Sequence, residues 1–165
     1  MRKIQKLQLY LETTVFNYYF DEDRQGHHDV VKLLEAIGAG LFEGYASDFV
    51  TEELKVATEP KRSNMLSLIE KYGIITLWPR PEVMRLADRY LESGIIPASQ
   101  RLDSLHIAIA SVYELDCLIS YNFRHINRDK ARIFTAITNE DEGYKGLRIC
   151  TAGEVLSNDW QDGYA

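Results

Sequence analysis

The feature that most constrains the fold is a set of short apolar segments separated by stretches with helical periodicity. Each segment is far too short to cross a bilayer, and each suits a strand that is buried on both faces of a sheet. Strands that alternate with helices predict a parallel sheet covered by helices on both sides. We therefore predict an α/β fold, a three-layer sandwich with a central parallel sheet of about five strands. The predicted strands are residues 7–11, 45–47, 74–77, 116–120 and 147–150.

The stretches between these strands have apolar residues at spacings of three and four, which predicts amphipathic helices. In the stretch from residue 101 to 112, the stripe of Leu102, Leu105, Ile109 and Val112 is expected to face the core. Thr151 and Glu154 form a capping box that opens a last short helix. The other predicted helices are residues 15–20, with Thr13 or Thr14 as the cap, and residues 29–39, 48–57, 63–72 and 82–92.

The chain has no internal repeat, low-complexity tract or linker, so we predict a single domain over residues 1–165, with a core at about 7–156 and a frayed tail from 157. The basic N-terminus is followed by no long apolar segment and no small-residue cleavage site, so no secretory signal and no membrane association are expected. Cys117 and Cys150 lie in apolar stretches and match no metal-binding spacing. They are predicted to be core residues in a reducing compartment, which makes the cytoplasm the expected location.

The charge balance limits the ways in which this chain could bind nucleic acid. With 19 basic and 25 acidic residues, the net charge is −6, which argues against a surface that is basic all over. Nucleic acid nevertheless remains a possible substrate, because a divalent cation held by clustered carboxylates can supply positive charge locally.

Four polar residues from distant parts of the chain are predicted to meet at one edge of the sheet. Glu12 and Asn122 each follow a strand directly, and Glu53 and Asp103 each lie near the start of a helix at that edge. In parallel sheets, ligands bind beyond the carboxyl ends of the strands. Asp103 has a second interpretation as a simple N-cap, stabilised by the helix dipole. For His106, one turn later, a packing or hydrogen-bonding role is favoured over a catalytic one.

Carboxylates gathered in one pocket repel one another and need a proton or a cation. Oxygen ligands favour Mg²⁺ or Mn²⁺ over zinc, and hydrolysis of phosphodiesters is the natural use of such a site. The sequence contains no phosphate-binding Gly-Lys loop, no Gly-x-Ser-x-Gly elbow and no His-Glu-x-x-His motif. A glycine-rich turn after the first strand is also missing, which argues against a nucleotide cofactor.

Four motifs follow one another along the chain: Tyr-Leu-Glu-Thr-Thr-Val-Phe at 10–16, Glu-Leu at 53–54, Asp-Ser-Leu-His-Ile-Ala-Ile-Ala at 103–110 and Ser-Tyr-Asn-Phe-Arg-His-Ile at 120–126. In this order they resemble the motifs of PIN-domain proteins, and the likeness spans about residues 7–156. It implies a PIN-like fold and an endoribonuclease that depends on Mg²⁺ or Mn²⁺. Many members of that family are toxins of VapC-type toxin–antitoxin pairs and are often dimeric. The resemblance therefore implies RNA as substrate, an antitoxin protein as a partner, and a homodimer.

Carried over motif by motif, the resemblance makes Glu12, Glu53 and Asp103 the acidic core that would hold the metal ion. Asn122 stands where many relatives carry a fourth acid. Glu53 is preferred to Glu52 because it directly precedes Leu54.

The residues expected to contact the substrate are Thr13, Arg124 and His125. Arg124 and His125 lie closest to the predicted site and could hold a phosphate or orient Asn122. The more distant basic residues Arg128, Lys130 and Arg132 are expected to form a solvated surface.

Two departures from the family pattern leave a second function open. The first acid of the family is usually Asp, so Glu12 is longer by one methylene, and the neutral Asn122 removes one negative charge. The longer side chain of Glu12 can displace a metal ligand, and the charge missing at Asn122 is expected to weaken the hold on a cation. The alternative is a PIN-fold module that binds RNA or protein with weak or no catalytic activity.

Overall fold

The structure, a computed structural model, describes residues 5–157. Its centre is a five-stranded, all-parallel sheet in the order β3-β2-β1-β4-β5, with helices on both faces. The predicted sheet is therefore confirmed. The strands are β1 (Gln8–Leu11), β2 (Glu43–Ser47), β3 (Ile75–Leu77), β4 (Cys117–Ile119) and β5 (Arg148–Cys150).

The helices lie close to the predicted ranges, with one addition. Helix α7 covers a segment to which the sequence analysis gave no structure. The helices are α1 (Thr13–Phe20), α2 (His27–Gly38), α3 (Asp48–Lys55), α4 (Lys61–Lys71), α5 (Pro81–Glu92), α6 (Arg101–Val112), α7 (Asp129–Asp141) and α8 (Ala152–Leu156), with a 3-10 turn at Ala98–Gln100.

The central strand β1 lies where the strand order changes direction. The chain continues from β1 to β2 and β3 on one side and then crosses to β4 and β5 on the other. Tyr10 of β1 is in register with Tyr45 of β2 and with Leu118 of β4. Because all the strands run the same way, the residues after β1, β2 and β4 meet at one edge. A crevice forms at such a switch point in open α/β sheets.

Helix α6 is buried more completely than its sequence pattern predicts. All residues from Ser104 to Ser111 are buried, because the helix packs against both α5 and β4. Leu102, which was predicted to belong to the buried stripe, is instead 36% exposed. Leu105 and Ile109 of the predicted stripe are buried as expected, so the prediction fails at Leu102 and in not expecting polar side chains such as His106 to be buried.

Two predicted helix caps are also corrected. Glu12, and not Thr13 or Thr14, is the N-cap of α1, because its side chain accepts a hydrogen bond from the backbone N–H of Thr14. Asp103 is not an N-cap either; it lies inside the first turn of α6, which follows Gln100. The capping box of Thr151 and Glu154 at α8 is confirmed.

The remaining predictions about the chain have mixed outcomes. Cys117 and Cys150 are buried as predicted, but the structure pairs them as a disulfide between β4 and β5. None of the helices within residues 5–157 has both the length and the apolar character needed to cross a bilayer. The first four residues of the basic N-terminus, and the predicted tail beyond residue 157, lie outside the described residues.

Candidate active site

Glu12 lies at the end of β1 and is held in a buried position, with only 3% of its surface exposed. Its Oε2 atom accepts hydrogen bonds from the Thr14 backbone N–H (3.1 Å), the Thr14 hydroxyl (2.5 Å) and the Ser120 hydroxyl (2.9 Å). Burial raises the pKa of Glu12, against the lowering effects of His106 and of these donors. The carboxylate is therefore fixed between the start of α1 and the end of β4.

His106 occupies the centre of the site and is fully buried. Its Nδ1 atom lies 2.6 Å from the Tyr10 hydroxyl, which lies 2.7 Å from the Ser47 hydroxyl. Its Nε2 atom forms a short hydrogen bond with Oε1 of Glu53. Ser47 caps α3, the helix that carries Glu53. The polar contacts therefore run from α3 through β1 and α6 and return to α3.

This network is satisfied whether or not the imidazole carries a proton. A neutral ring can donate from Nε2 to Glu53 and accept at Nδ1 from Tyr10, whereas a protonated ring donates from both nitrogens. Burial lowers the pKa of His106, but the bond to Glu53 and the charges of Glu12 and Asp103 outweigh it and raise the pKa. Burial likewise raises the pKa of Glu53, yet His106 and Thr13 bring it below its ordinary value. Both pKa shifts favour the ion pair of a protonated His106 and an ionised Glu53.

Asp103 lies in the first turn of α6 and joins the same cluster from the other side. Its Oδ2 atom is buried and has no hydrogen-bond partner in the part of the chain that the structure describes. Burial raises the pKa of Asp103, and the charge of Glu53 raises it further. The charges of His106 and His125 and a hydrogen bond with the Asn122 amide lower it in part. A buried carboxylate oxygen without a donor is costly, which marks this atom as one that needs a proton or a cation.

Asn122 begins the loop after β4. Its backbone N–H donates to the Ser120 hydroxyl at 3.0 Å, and its side-chain Oδ1 accepts from the His125 backbone N–H at 3.0 Å. Asn127 fastens the other end of this loop to the carbonyl oxygen of Ser120 at 2.9 Å. The Ser120 hydroxyl also donates to Glu12, so it connects the Asn122 loop to the first acid.

The structure brings Glu12, Glu53, Asp103 and Asn122 together around His106, at the edge of the sheet where the sequence predicts them. The two neighbouring glutamates lie in different surroundings. Glu52 is exposed and forms an ion pair with Lys55 at 3.0 Å, whereas Glu53 faces the cluster.

The three residues predicted to contact substrate lie in different surroundings. The Thr13 hydroxyl donates to Glu53 at 2.8 Å and therefore supports that carboxylate. His125 lies near enough to Asp103 to influence its pKa, and its Nδ1 atom is buried with no partner among residues 5–157. Arg124 is exposed at the surface of the loop.

Sequence reasoning missed Tyr10, Ser47, Thr14 and Ser120, which hold the acids in place. Tyr10 was counted as an apolar strand residue. The available signal was its hydroxyl, because a tyrosine in a fully buried strand needs a hydrogen-bond partner at its tip. Ser47, which directly precedes Asp48, carries the usual signature of an N-cap.

The donor set agrees only in part with a metal site. Within residues 5–157, no three His, Cys, Asp or Glu side chains surround one point as metal ligands do. Glu53 is turned toward His106, and Glu12 toward Thr14 and Ser120. Mg²⁺, however, is usually bound by only one or two carboxylates, with water and substrate phosphate completing its shell. The partnerless oxygen of Asp103, with other carboxylates beside it, fits that mode of binding.

Comparison with solved structures finds a similar fold. The matching protein is one chain in the crystal structure of VapBC2 from Rickettsia felis bound to a DNA fragment from their promoter. The TM-score is 0.53 and the sequence identity 13%, over 87% of this chain and 97% of that one. This likeness confirms the PIN-like fold and, at that identity, shows the fold alone. No protein-family model and no curated protein matches the chain.

Proposed function

We propose that this protein is an endoribonuclease that depends on Mg²⁺ or Mn²⁺ and hydrolyses phosphodiester bonds in RNA. The observation that carries the proposal is the cluster of Glu12, Glu53, Asp103 and Asn122 at the switch point of a PIN-like sheet. Hard oxygen ligands at this position suit a divalent cation and the phosphate that it would bind.

In this proposal Asp103 and Glu12 hold the ion, and Glu53 assists directly or through a water. Such an ion lowers the pKa of a bound water and neutralises the charge that develops on the phosphate. Asp103 is the best placed of the three, since its Oδ2 atom has no partner among the described residues. Glu12 accepts its hydrogen bonds at Oε2, so its position is fixed before any ligand arrives.

The other residues of the site position these groups. His106 and Thr13 hold Glu53 by hydrogen bonds to Oε1, so that its carboxylate keeps one orientation. The Asn122 amide would orient a water or a phosphate oxygen, and His125 beside Asp103 would donate to a phosphate. Arg124, exposed on the same loop, would contact the RNA backbone farther out.

We further propose that the protein is the toxin of a toxin–antitoxin pair, acting in the cytoplasm as a homodimer. The support for the toxin role is the likeness to a chain of VapBC2, which in that structure is bound to a DNA fragment from its promoter. Light scattering on the purified chain would test the dimer, which is expected at twice the 19.0 kDa of one copy. A mass of one copy at micromolar concentration would contradict it.

A second candidate is a binding module without catalysis, and one observation favours it. His106 already balances part of the negative charge, and no three ligands converge among the residues that the structure describes. Such a module would bind RNA or a protein partner in the absence of metal and would leave RNA intact.

Cleavage of a mixed panel of single-stranded RNAs, with Mn²⁺, Mg²⁺ or EDTA, separates the two candidates. The nuclease proposal expects metal-dependent cleavage that is lost in Asp103→Asn and kept in Glu52→Gln, a matched change of an exposed carboxylate. Absence of cleavage by folded protein free of any partner would leave the binding module as the function. Equal cleavage by Asp103→Asn would overturn the assignment of the site.

A further inference from the structure

We propose that a cleft beside the acidic cluster binds the single-stranded RNA segment that flanks the cleaved bond, with Lys61 as its phosphate contact. The inference rests on the proposed function, because it names a substrate subsite for that same site. Apart from Thr14, the residues that line this cleft belong to none of the four sequence motifs.

The cleft lies between α1 with the turn that follows it and the beginning of α4. Its volume is about 610 Å³, within the range of pockets that hold small ligands. The lining mixes polar and apolar side chains. The proposal uses the exposed ring of Phe20 and five polar residues, which are Thr14, Asn17, Arg24, Lys61 and Asn64, and the rest of the lining is Tyr18, Asp21 and Pro60.

Thr14 connects the cleft to the acidic cluster. Its hydroxyl donates to Oε2 of Glu12 at 2.5 Å and accepts from the backbone N–H of Tyr121 at 2.9 Å, and the same residue lines the cleft. Thr14 therefore lies between the cleft and Glu12, and a strand in the cleft would lie against the residue that positions the first acid. This continuity is what a subsite for the flanking nucleotide requires.

The charges of the cleft suit a phosphodiester. Arg24 is held by Asp21 at 3.0 Å and lies 5.4 Å over the Tyr18 ring, so its position is fixed and its charge is partly balanced. Lys61 has no carboxylate in ion-pair contact within residues 5–157 and is exposed. In a chain of net charge −6, and next to acids that repel RNA, this lysine supplies local attraction for the backbone.

The neutral residues of the cleft favour RNA over an acidic peptide. The amides of Asn17 and Asn64 can both donate and accept, which suits ribose hydroxyls and base edges. Phe20 is 41% exposed and offers a ring on which a base can stack. An acidic peptide would use the cations alone and would have no need of the acidic cluster beside them.

The test measures RNA binding and cleavage in Lys61→Ala. Binding of a fluorescent single-stranded RNA is followed by anisotropy in the Asp103→Asn background with Mg²⁺, so that the RNA is not cut. We expect a Kd about fivefold higher and a slope of log K against log salt that is shallower by about 0.7. In otherwise wild-type protein, KM should rise by a similar factor with kcat unchanged.

Three further variants make the result specific. Lys61→Arg keeps the charge and should restore binding, whereas Lys32→Ala, an exposed lysine on α2 outside the cleft, should change nothing. Asn64→Ala should weaken binding about twofold to threefold without altering the salt slope, because it removes a neutral contact. Circular dichroism confirms that each variant is folded, and Asn64→Ala decides the question if Lys61→Ala does not fold.

Unchanged Kd and KM in both Lys61→Ala and Asn64→Ala would overturn the subsite. So would an acidic peptide that binds more tightly than RNA and depends on Lys61. The proposed function fails in a different way: wild-type protein that never cleaves RNA, but binds it through Lys61, refutes the nuclease and keeps the subsite. Cleavage with binding that is independent of Lys61 refutes the subsite alone.

Discussion

The site around His106 has two halves, which differ in how completely their polar atoms are hydrogen-bonded. In the interlocked half, which consists of Ser47, Tyr10, His106 and Glu53, each side chain is hydrogen-bonded to the next. In the open half, which consists of Asp103, Asn122 and His125, Asp103 Oδ2 and His125 Nδ1 are buried and lack partners among the described residues. The hydrogen bonds of the interlocked half stabilise the fold by themselves. The partnerless atoms of the open half cost stability unless a ligand binds them, so the open half is the part that is prepared for a ligand.

The carboxyl groups of the two halves show the same contrast in their pKa values. Burial acts on both, but the bond from His106 lowers the pKa of Glu53, whereas burial dominates at Asp103 and raises its pKa. Ionised Glu53 therefore stabilises the folded protein, and ionised Asp103 destabilises it. Strongly perturbed pKa values and residues that cost stability are typical of functional sites.

The largest expected effect is on catalysis, from Asp103→Asn in the open half. RNA cleavage should fall by roughly 10²–10³-fold, because the charge that holds the metal ion is lost. The free energy of unfolding in urea should stay the same or rise, since the change removes a charge whose burial is unfavourable. A clear loss of stability would mean that Asp103 is a structural residue and that the two halves do not differ.

His106→Ala should produce the largest loss of stability. It leaves Tyr10 and Glu53 without their partner and opens a space in a fully buried region, which should cost about 2–4 kcal/mol in urea unfolding. His28→Ala, at an exposed position on α2, is the matched control and should cost less than about 0.5 kcal/mol. Equal effects of the two changes would show that the interlocked half does not stabilise the fold.

The two halves should differ in whether their contribution to the free energy of unfolding rises or falls with pH. The raised pKa of His106 means that its contribution is complete below the ordinary value of 6.5 and is lost as pH rises through the folded value. The lowered pKa of Glu53 means that its contribution is present above 4.5 and is lost at lower pH. The difference in free energy of unfolding between wild type and His106→Ala should therefore be largest between pH 4.5 and pH 6.5 and should shrink at higher pH.

Asp103 should show the opposite trend to Glu53. Because its pKa is raised from 3.8, its contribution to stability is lost as pH rises through the folded value. Asp103→Asn should thus gain stability relative to wild type as the pH increases from acid to neutral. A constant difference between the two proteins over that range would rule out this account of Asp103.

The smallest expected effect is that of Thr13→Val, which tests the support of Glu53 from α1. The change keeps the shape of the side chain and removes the hydroxyl that donates to Glu53 at 2.8 Å, at a cost of about 1 kcal/mol. Cleavage should slow only a few-fold, and Thr13→Ser should recover most of the loss. Thr51→Val, which removes a hydroxyl bonded to a backbone carbonyl of α3, provides the comparison for stability.

Strand periodicity and motif order predict the sheet and place the four site residues at its edge. They do not predict α7, because its buried residues are Ala131, Thr135, Thr138 and Asn139 while Ile133, Phe134 and Ile137 are exposed, which reverses the usual apolar pattern. The interlocked half was also missed. Its hydrogen bonds join residues of β1, β2 and α6 that only the folded sheet brings together.

The most direct test of the account is calorimetric titration of Mn²⁺ into wild type, Asp103→Asn and Glu52→Gln, without RNA. We predict one ion bound per chain in wild type and in Glu52→Gln, and a binding constant at least tenfold weaker in Asp103→Asn. This result would place the cation in the open half, whatever the RNA target is. Binding that Asp103→Asn leaves unchanged, or no binding by wild type at millimolar Mn²⁺, would contradict the account.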